Sequence, residues 1–249
     1  MKKVFLFVLL SFLFVSCSMR NKNDAMFLEL LSREEYMSKQ EPDRVFNPAS
    51  AMLITTLPEN VGNFKASKEI SDFEVLKNGF GYSRRYLNPK YKNGYWVDVF
   101  TYNMRQNEVP NDLDNDIVKN VYNIAKNETL NGYNNSKVLD ENIIVFTMPN
   151  GKRLKMKELV FIYYNFEEKT YVKSYLYFGT SLDSFYKIRI SYNMNLDFED
   201  NLFYEKEYFI KDFGFYYTDG MSLNDFNYFK KNNLKNPVKI QIIKDFTFM

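Results

Sequence analysis

The run Tyr186-Lys-Ile-Arg-Ile-Ser-Tyr192 limits this chain's architecture more than any other stretch. Tyr186, Ile188, Ile190 and Tyr192 fall on one side of an extended segment, and Lys187, Arg189 and Ser191 on the other. A strict period of two is the signature of a β-strand, and an antiparallel sheet with one wetter face produces it. The same reading extends upstream. FKASKEISDFEVL and GFGYSRRYLN are β-rich runs with Gly79 and Gly81 at their junction, and YWVDVFTYN follows Lys92-Asn93-Gly94. Asn-Gly supplies the positive φ angles that tight hairpins need. NIIVFTM and KRLKMKEL flank Pro149-Asn150-Gly151, and LVFIYYNF and YVKSYLYFG flank Glu167-Glu168-Lys169, so two more hairpins are expected, with strands from Met52 onward. NPVKIQIIKDF offers a last strand.

Two helices interrupt the strands. From Asp112 to about Glu128, Ile117, Val118, Val121, Tyr122, Ile124 and Ala125 form a stripe at helical spacing, and Asn131-Gly132 closes it. DFEDNLFYEKEYFIKDFG reads as a second, with Leu202, Phe203, Phe209, Ile210 and Phe213 as core candidates and Gly214 as its stop. AMFLELLSREEYMSK is a candidate short helix on which Phe27, Leu28 and Leu31 share a face, and QEPDRVFNPAS, with two prolines, reads as an irregular linker. The expected class is α+β, an antiparallel β-sheet flanked by helices. The expected divisions are 1–16 as a signal peptide, 17–50 as a tether and linker, and 51–249 as a single α+β domain.

Missing residue types narrow the chemistry. The sequence has no histidine and one cysteine, Cys17. Ser-His-Asp and Cys-His catalysis and the usual zinc and copper ligand sets are thereby excluded. Paired carboxylates, a Ser–Lys arrangement or an oxygen-ligated metal remain. Asp112, Asp114 and Asp116 alternate like the opening of a calcium-binding EF-hand loop, but the sixth position is Ile117 instead of Gly and the twelfth is Asn123 instead of Glu. Asn111 or Asp112 as a helix cap, with the carboxylates near the positive end of the dipole, is the preferred reading. Ser181 or Ser184 with Lys187 forms a nominal Ser–Lys pair that is also ordinary surface chemistry. Asp72, Glu74 and Asp98 lie on strand candidates and are the acids for a carboxylate-dependent hydrolase. No catalytic residue, metal site or cofactor is assigned.

The N-terminus carries an address. Met1-Lys2-Lys3 precedes an uncharged run, Val4 to Val15, too short for the roughly 20 apolar residues of a membrane-spanning helix and of the length of a signal-peptide core. Ser16 is the small residue before a cleavage point, Cys17 follows, and a polar tether covers residues 18–25. This order resembles the signal of bacterial lipoproteins, with Phe14 and Val15 standing where a Leu and a small residue are usual and Leu13 one step further out. The resemblance implies that the Cys17 thiol is joined to diacylglycerol and becomes the first residue after cleavage. The alternative is an ordinary secretory peptide or an uncleaved anchor with a chance cysteine. Acyl chains in pairs hold a protein stably at a membrane where one does not. A lipidated Cys17 leaves no thiol for a disulfide, so stability must come from a core, and the remaining chain is long enough to build one. Loss of Lys2 and Lys3 with the leader brings Lys+Arg from 33 to 31, equal to the 31 acidic residues, without the basic excess of a nucleic-acid binder. An AT-rich genome accounts for the abundance of Asn, Lys, Tyr and Phe.

From Leu53 to about Phe213 the order strands, hairpin, helix, long meander and helix resembles the PsbP-like α/β/α sandwich. LPENVGNFKASKEISDFEVLKNGFGYSRRYLNP followed by VDVFTYN is also similar to the start of an uncharacterised bacterial exported family. The PsbP-like resemblance implies a non-catalytic accessory or binding module, and no residue here carries the founding member's photosynthetic role. The leading expectation is thus a membrane-anchored envelope lipoprotein, periplasmic or surface-exposed, acting as a binding or assembly-accessory module for an envelope protein or glycan. A hydrolase using carboxylates and a surface antigen or adhesin are the alternatives. A tyrosine-rich sheet face, with Tyr175, Tyr177, Tyr186 and Tyr192, would suit sugar stacking or partner packing; the same residues fit equally as core or half-buried sheet positions.

Overall fold

The computed structural model describes residues 26, 29–30, 32–34, 36–37, 39–41, 48–91, 94–106, 108–147, 153–181, 184–196, 209 and 240–243. Its centre is a fully antiparallel nine-stranded sheet in the order β1-β2-β3-β4-β8-β7-β6-β5-β9. The strands are β1 (Asn60–Val61), β2 (Phe64–Asp72), β3 (Tyr82–Leu87), β4 (Tyr95–Tyr102), β5 (Lys137–Thr147), β6 (Arg153–Asn165), β7 (Thr170–Ser181), β8 (Ser184–Asn193) and β9 (Ile240–Ile243). Two meanders, β1 to β4 and β5 to β8, meet where β4 pairs with β8. The expected α+β class with an antiparallel sheet is what the chain forms. The hairpin expected around Glu167-Glu168-Lys169 joins β6 to β7, with Asn165 opposite Thr170 and Lys169 at φ 51. The last strand expected in NPVKIQIIKDF is β9, which pairs with β5.

Three local expectations are corrected. KRLKMKEL and LVFIYYNF are not separate strands but one 13-residue strand, β6. No Gly, Pro or turn residue divides them, so the ladder continues. Pro48–Ser50, read as linker, and Met52–Thr56, read as the start of the strands, form helix α1 (Pro48–Thr56). Pro48 takes the first helical position, where the missing N–H costs nothing. Ala51, Leu53, Ile54 and Leu57 are buried. A short helix apolar on all sides carries no helical stripe to read. The second helix, α2 (Asp116–Asn131), starts later than expected because Asn115, not Asn111 or Asp112, is its cap; Asn115 Oδ1 accepts from Ile117 N–H at 2.9 Å. Val118, Val121, Tyr122 and Ala125 are its buried stripe, Ile117 is instead exposed, and Gly132 closes it. The candidates Leu202, Phe203, Ile210 and Phe213, like Phe27, Leu28, Leu31 and the leader with Cys17, lie outside the described residues; Phe209 is helical and fully buried.

Each face of the sheet carries a helix. On one face α1 packs over Tyr82, Tyr86, Val97, Val99, Tyr186 and Ile188. Two hydroxyls pin its start: Thr101 Oγ1 donates to Ser50 O at 3.0 Å, and Ser50 Oγ lies 2.8 Å from Ser184 Oγ. Phe209 joins this layer edge-on to Phe64 and Tyr86. On the opposite face Val118, Val121 and Tyr122 of α2 pack on Tyr102, Phe178 and Phe185. A third cluster, around Leu159, Phe161, Tyr163 and Leu176, lies under Leu130 and Tyr133, at the C-terminal end of α2. The alternation of β8 thus follows the sequence reading, but neither side is wet. Ile188 and Ile190 face α1, while Lys187 and Arg189 lie on the α2 side.

Candidate functional site

The register decides which polar residues meet. Arg85 stands opposite Asp98, and Asp98 opposite Arg189, so three charged side chains form a row across β3, β4 and β8 on the α2 face. Arg85 Nε donates to Asp98 Oδ1 at 2.7 Å and Arg189 Nη2 to Asp98 Oδ2 at 2.6 Å. Arg189 Nη1 also donates to the Tyr133 hydroxyl, and Tyr133 stacks on Tyr163 with centroids 3.9 Å apart. Burial opposes ionisation of Asp98, but the charges of Arg189 and Arg85 and their hydrogen bonds outweigh it and hold the carboxyl below the usual range. Asp98 is therefore a fixed anion in a structural network.

The next row of the same face, Ser83–Phe100–Lys187–Phe178, opens into a pocket. Its cavity is about 180 Å³ and partly open to solvent. Phe100, Tyr102 and Met104 supply one wall, Val121, Ile124 and Ala125 of α2 another, and Phe73 and Phe80 a third, with Lys187 and Glu128 also in the lining. The third wall is a loop folded around one carboxylate. Glu74 accepts from Asn78 Nδ2 at 3.1 Å, Gly79 N–H at 2.9 Å and Gly81 N–H at 2.6 Å. Gly79 and Gly81 have φ of 86° and 68°, which turns their N–H groups inward. Phe73 then lies parallel to Phe100 at 6.4 Å, while Val75 and Leu76 on the same loop are exposed. Replacing Glu74 by Ala leaves two buried backbone donors unsatisfied. Hydrogen exchange at Gly79 and Gly81 is expected to accelerate at least tenfold, with exchange in the β6–β7 hairpin unchanged.

Two polar groups in this pocket lack partners. Lys187 Nζ lies 4.3 Å from the Phe100 ring centroid, and among the described residues no carboxylate forms an ion pair with it. Burial, helped by the Arg189 charge and opposed by Glu128 and Asp98, brings its ammonium down to about 8. The Tyr102 hydroxyl is buried without a hydrogen bond, and burial, with the Glu128 charge, pushes its ionisation well above the usual value. Native proteins pair the large majority of buried side-chain polar atoms. An apolar pocket with a few convergent polar groups is the usual form of a small-molecule site.

The other sequence candidates do not assemble. Asp72 lies opposite Tyr82 on the α1 face and pairs with Arg33, Glu74 is engaged by the loop, and Asp98 is on the far face from Asp72. Ser184 is buried against Ser50 under α1, on the opposite face from Lys187, and Ser181 lies at the β7–β8 turn. Asp112 Oδ1 accepts from Asp114 N–H, Asp114 pairs with Lys155 at 3.1 Å and Asp116 lies in the first turn of α2. Among the described residues no group of three acids, His or Cys is arranged to hold a metal. Tyr177 and Tyr186 are buried and Tyr175 and Tyr192 half-buried, so this row is core and half-buried sheet; Tyr177 donates to Glu158 at 2.7 Å. Sequence reasoning noticed Lys187 only as a partner for serine and missed Tyr102, Phe73 and Phe80. A lysine alternating with isoleucines was its single signal. Among known proteins, no family model and no curated protein matches this sequence, so the functional reading rests on the chemistry of the pocket.

Proposed function

We propose that this chain is a non-catalytic binding module held at a bacterial envelope membrane by lipid on Cys17. The observation that carries the binding reading is the presence of an ammonium without an ion pair, Lys187, and an unsatisfied hydroxyl, Tyr102, in the lining of an aromatic and aliphatic pocket. The acids that a carboxylate-dependent hydrolase would use are each engaged by the fold, Asp72 by Arg33, Glu74 by the Gly79 and Gly81 N–H groups and Asp98 by Arg85 and Arg189, and none of the three lines the pocket. The PsbP-like α/β/α sandwich belongs to the same reading, supported by an antiparallel sheet with α1 on one face and α2 on the other.

The anchor rests on the order basic, apolar, small, Cys, polar in residues 1–24. Among the described residues no helix is long and apolar enough to cross a membrane; paired acyl chains on Cys17 are the proposed attachment. Cys17→Ser is expected to abolish palmitate labelling and to move the protein from the membrane pellet to the soluble fraction; unchanged membrane association after the substitution overturns the anchor. Protease treatment of intact cells then separates a surface position, where the domain is lost, from a periplasmic one, where it survives.

A further inference from the structure

The unpaired groups in the pocket define the chemistry of its occupant. Lys187 is a cation in a largely apolar setting with an aromatic face as its nearest compensation, at 4.3 Å. A cation–π contact contributes about 0.5–2 kcal/mol and leaves the ammonium's hydrogen-bonding capacity unmet. The charges around it have been spent elsewhere. On β4 and β3, Asp98 is shared by Arg85 and Arg189, so that row adds a net positive charge. On β6, Lys157 lies in the same row as Lys187 with Phe178 between them, its ammonium 4.5 Å from the Tyr122 ring centroid. On β5, Glu141 accepts from Tyr122 and pairs with Lys126. On α2, Glu128 is in the lining and its charge acts on Lys187, but it is exposed and forms no ion pair with the ammonium. Lys187 is therefore left without an ion pair among the described residues, and the Tyr102 hydroxyl is a donor without an acceptor.

The walls fix the rest of the ligand. Phe73, Phe80, Ile124 and Ala125 offer only carbon to an occupant. An apolar cavity of about 150 Å³ takes a benzene-sized molecule. The present one, at about 180 Å³ and partly open, takes a body of that size with room to extend past its mouth. The exposed Val75 and Leu76 on the loop that carries Phe73 and Phe80 continue the apolar track outward.

We propose that this pocket binds a small amphipathic monocarboxylate, its carboxylate between the Lys187 ammonium and the Tyr102 hydroxyl and its hydrocarbon body against Phe73, Phe80 and Ile124. The proposal rests on the binding-module reading and names the ligand class of the same site. A charge-assisted hydrogen bond to the carboxylate in this setting is about twice as strong as a neutral one. The carboxylate supplies Lys187 with the counter-charge that the fold withholds, so binding raises the lysine's proton affinity. Affinity is accordingly full while free Lys187 is protonated, below about 8, and falls as the pH rises beyond it.

The test is calorimetric titration of the full chain with octanoate and with 1-octanol at pH 6.5 and 9.5. Octanoate is ionised at both. Its affinity is expected to fall more than tenfold from pH 6.5 to 9.5, while the affinity for octanol stays constant. Lys187→Met is expected to lower octanoate affinity at pH 6.5 at least tenfold and leave octanol binding intact, which also shows that the pocket is folded. Tyr102→Phe gives a smaller loss, severalfold. Octanol binding as tightly as octanoate, or octanoate binding indifferent to both pH and Lys187→Met, overturns the carboxylate assignment and leaves a binding pocket. Failure of both probes to bind removes the pocket reading as well.

Discussion

Asp98→Ala is expected to destabilise the fold by about 3–5 kcal/mol, the cost of stranding a buried charge by removing its partner. Asp98 is 5% exposed and is the carboxylate that Arg189 meets in the sheet interior, where Arg189 Nε already lacks a partner. Without Asp98, two guanidinium groups face each other across the gap, one of them buried. Urea unfolding measures the loss as a lower midpoint at unchanged slope. The double variant Asp98→Ala/Arg189→Met is expected to recover most of it, because an apolar replacement of both partners leaves no charge to desolvate. A double variant as unstable as the single one contradicts this account of the row.

The same pair gives the fold an acid limit. The folded carboxyl of Asp98 titrates below its ordinary value, so its contribution is fully present above about 4, the unfolded value, and is lost as the pH falls through the folded one. Between pH 6 and pH 3 the wild type is expected to lose more stability than the Asp98→Ala/Arg189→Met variant.

Gly81→Ala is expected to cost about 3 kcal/mol, the sum of left-handed backbone strain and forced overpacking. Gly81 has φ +68°, and a Cβ there would stand 1.9 Å from Thr101 O and 2.7 Å from Tyr102 Cα, backbone atoms of β4 that have no room to yield. Gly62→Ala is the control. Its φ is +55° but nothing lies within 4 Å of the added carbon, so only the strain of about 1–2 kcal/mol remains. Equal losses in the two variants would show that the close approach at Gly81 is not what holds the loop against β4. Because Tyr102 and the loop both line the pocket, Gly81→Ala is also expected to weaken octanoate binding, whereas Gly62→Ala is not.

Local rules made the strands and hairpins legible. Alternation from Tyr186 to Tyr192 and the turn at Glu167-Glu168-Lys169 depend on neighbours along the chain, and they reappear as β8 and the β6–β7 hairpin. The helix α1 was illegible because its apolar residues, Ala51, Met52, Leu53 and Ile54, run consecutively in the sequence, and such a run has no helical period. The start of α2 was blurred because Asn111, Asp112 and Asn115 are all capping residue types within five positions; only the fold shows that Asn111 Oδ1 accepts from Thr180 and that Asn115 caps the helix. The sheet face also misled the expectation of a wet side. Nothing near Lys187 in sequence reports that α2 will cover it.

The pocket was beyond local reading for the same reason. Phe73, Tyr102, Ile124 and Lys187 belong to a loop, a strand, a helix and another strand, brought together by the pairing of β4 with β8 and by α2 lying over that pair. Sequence order gives no hint that the Tyr102 hydroxyl will be buried without an acceptor or that Lys187 will be covered without an ion pair. The acids that the sequence did offer, Asp72, Glu74 and Asp98, were placed by strand parity and loop closure on separate tasks.

Methyl resonances of methionine test the pocket most directly. Met104 lines it, whereas Met156 is fully buried among the α1-side core residues. With ¹³C-methyl methionine and octanoate just at saturation of the wild type, the account predicts that the Met104 signal moves, that Met156 stays in place, and that Lys187→Met reduces the movement by half or more at the same octanoate concentration. An unmoved Met104 while octanoate is bound would place the ligand elsewhere and contradict the account.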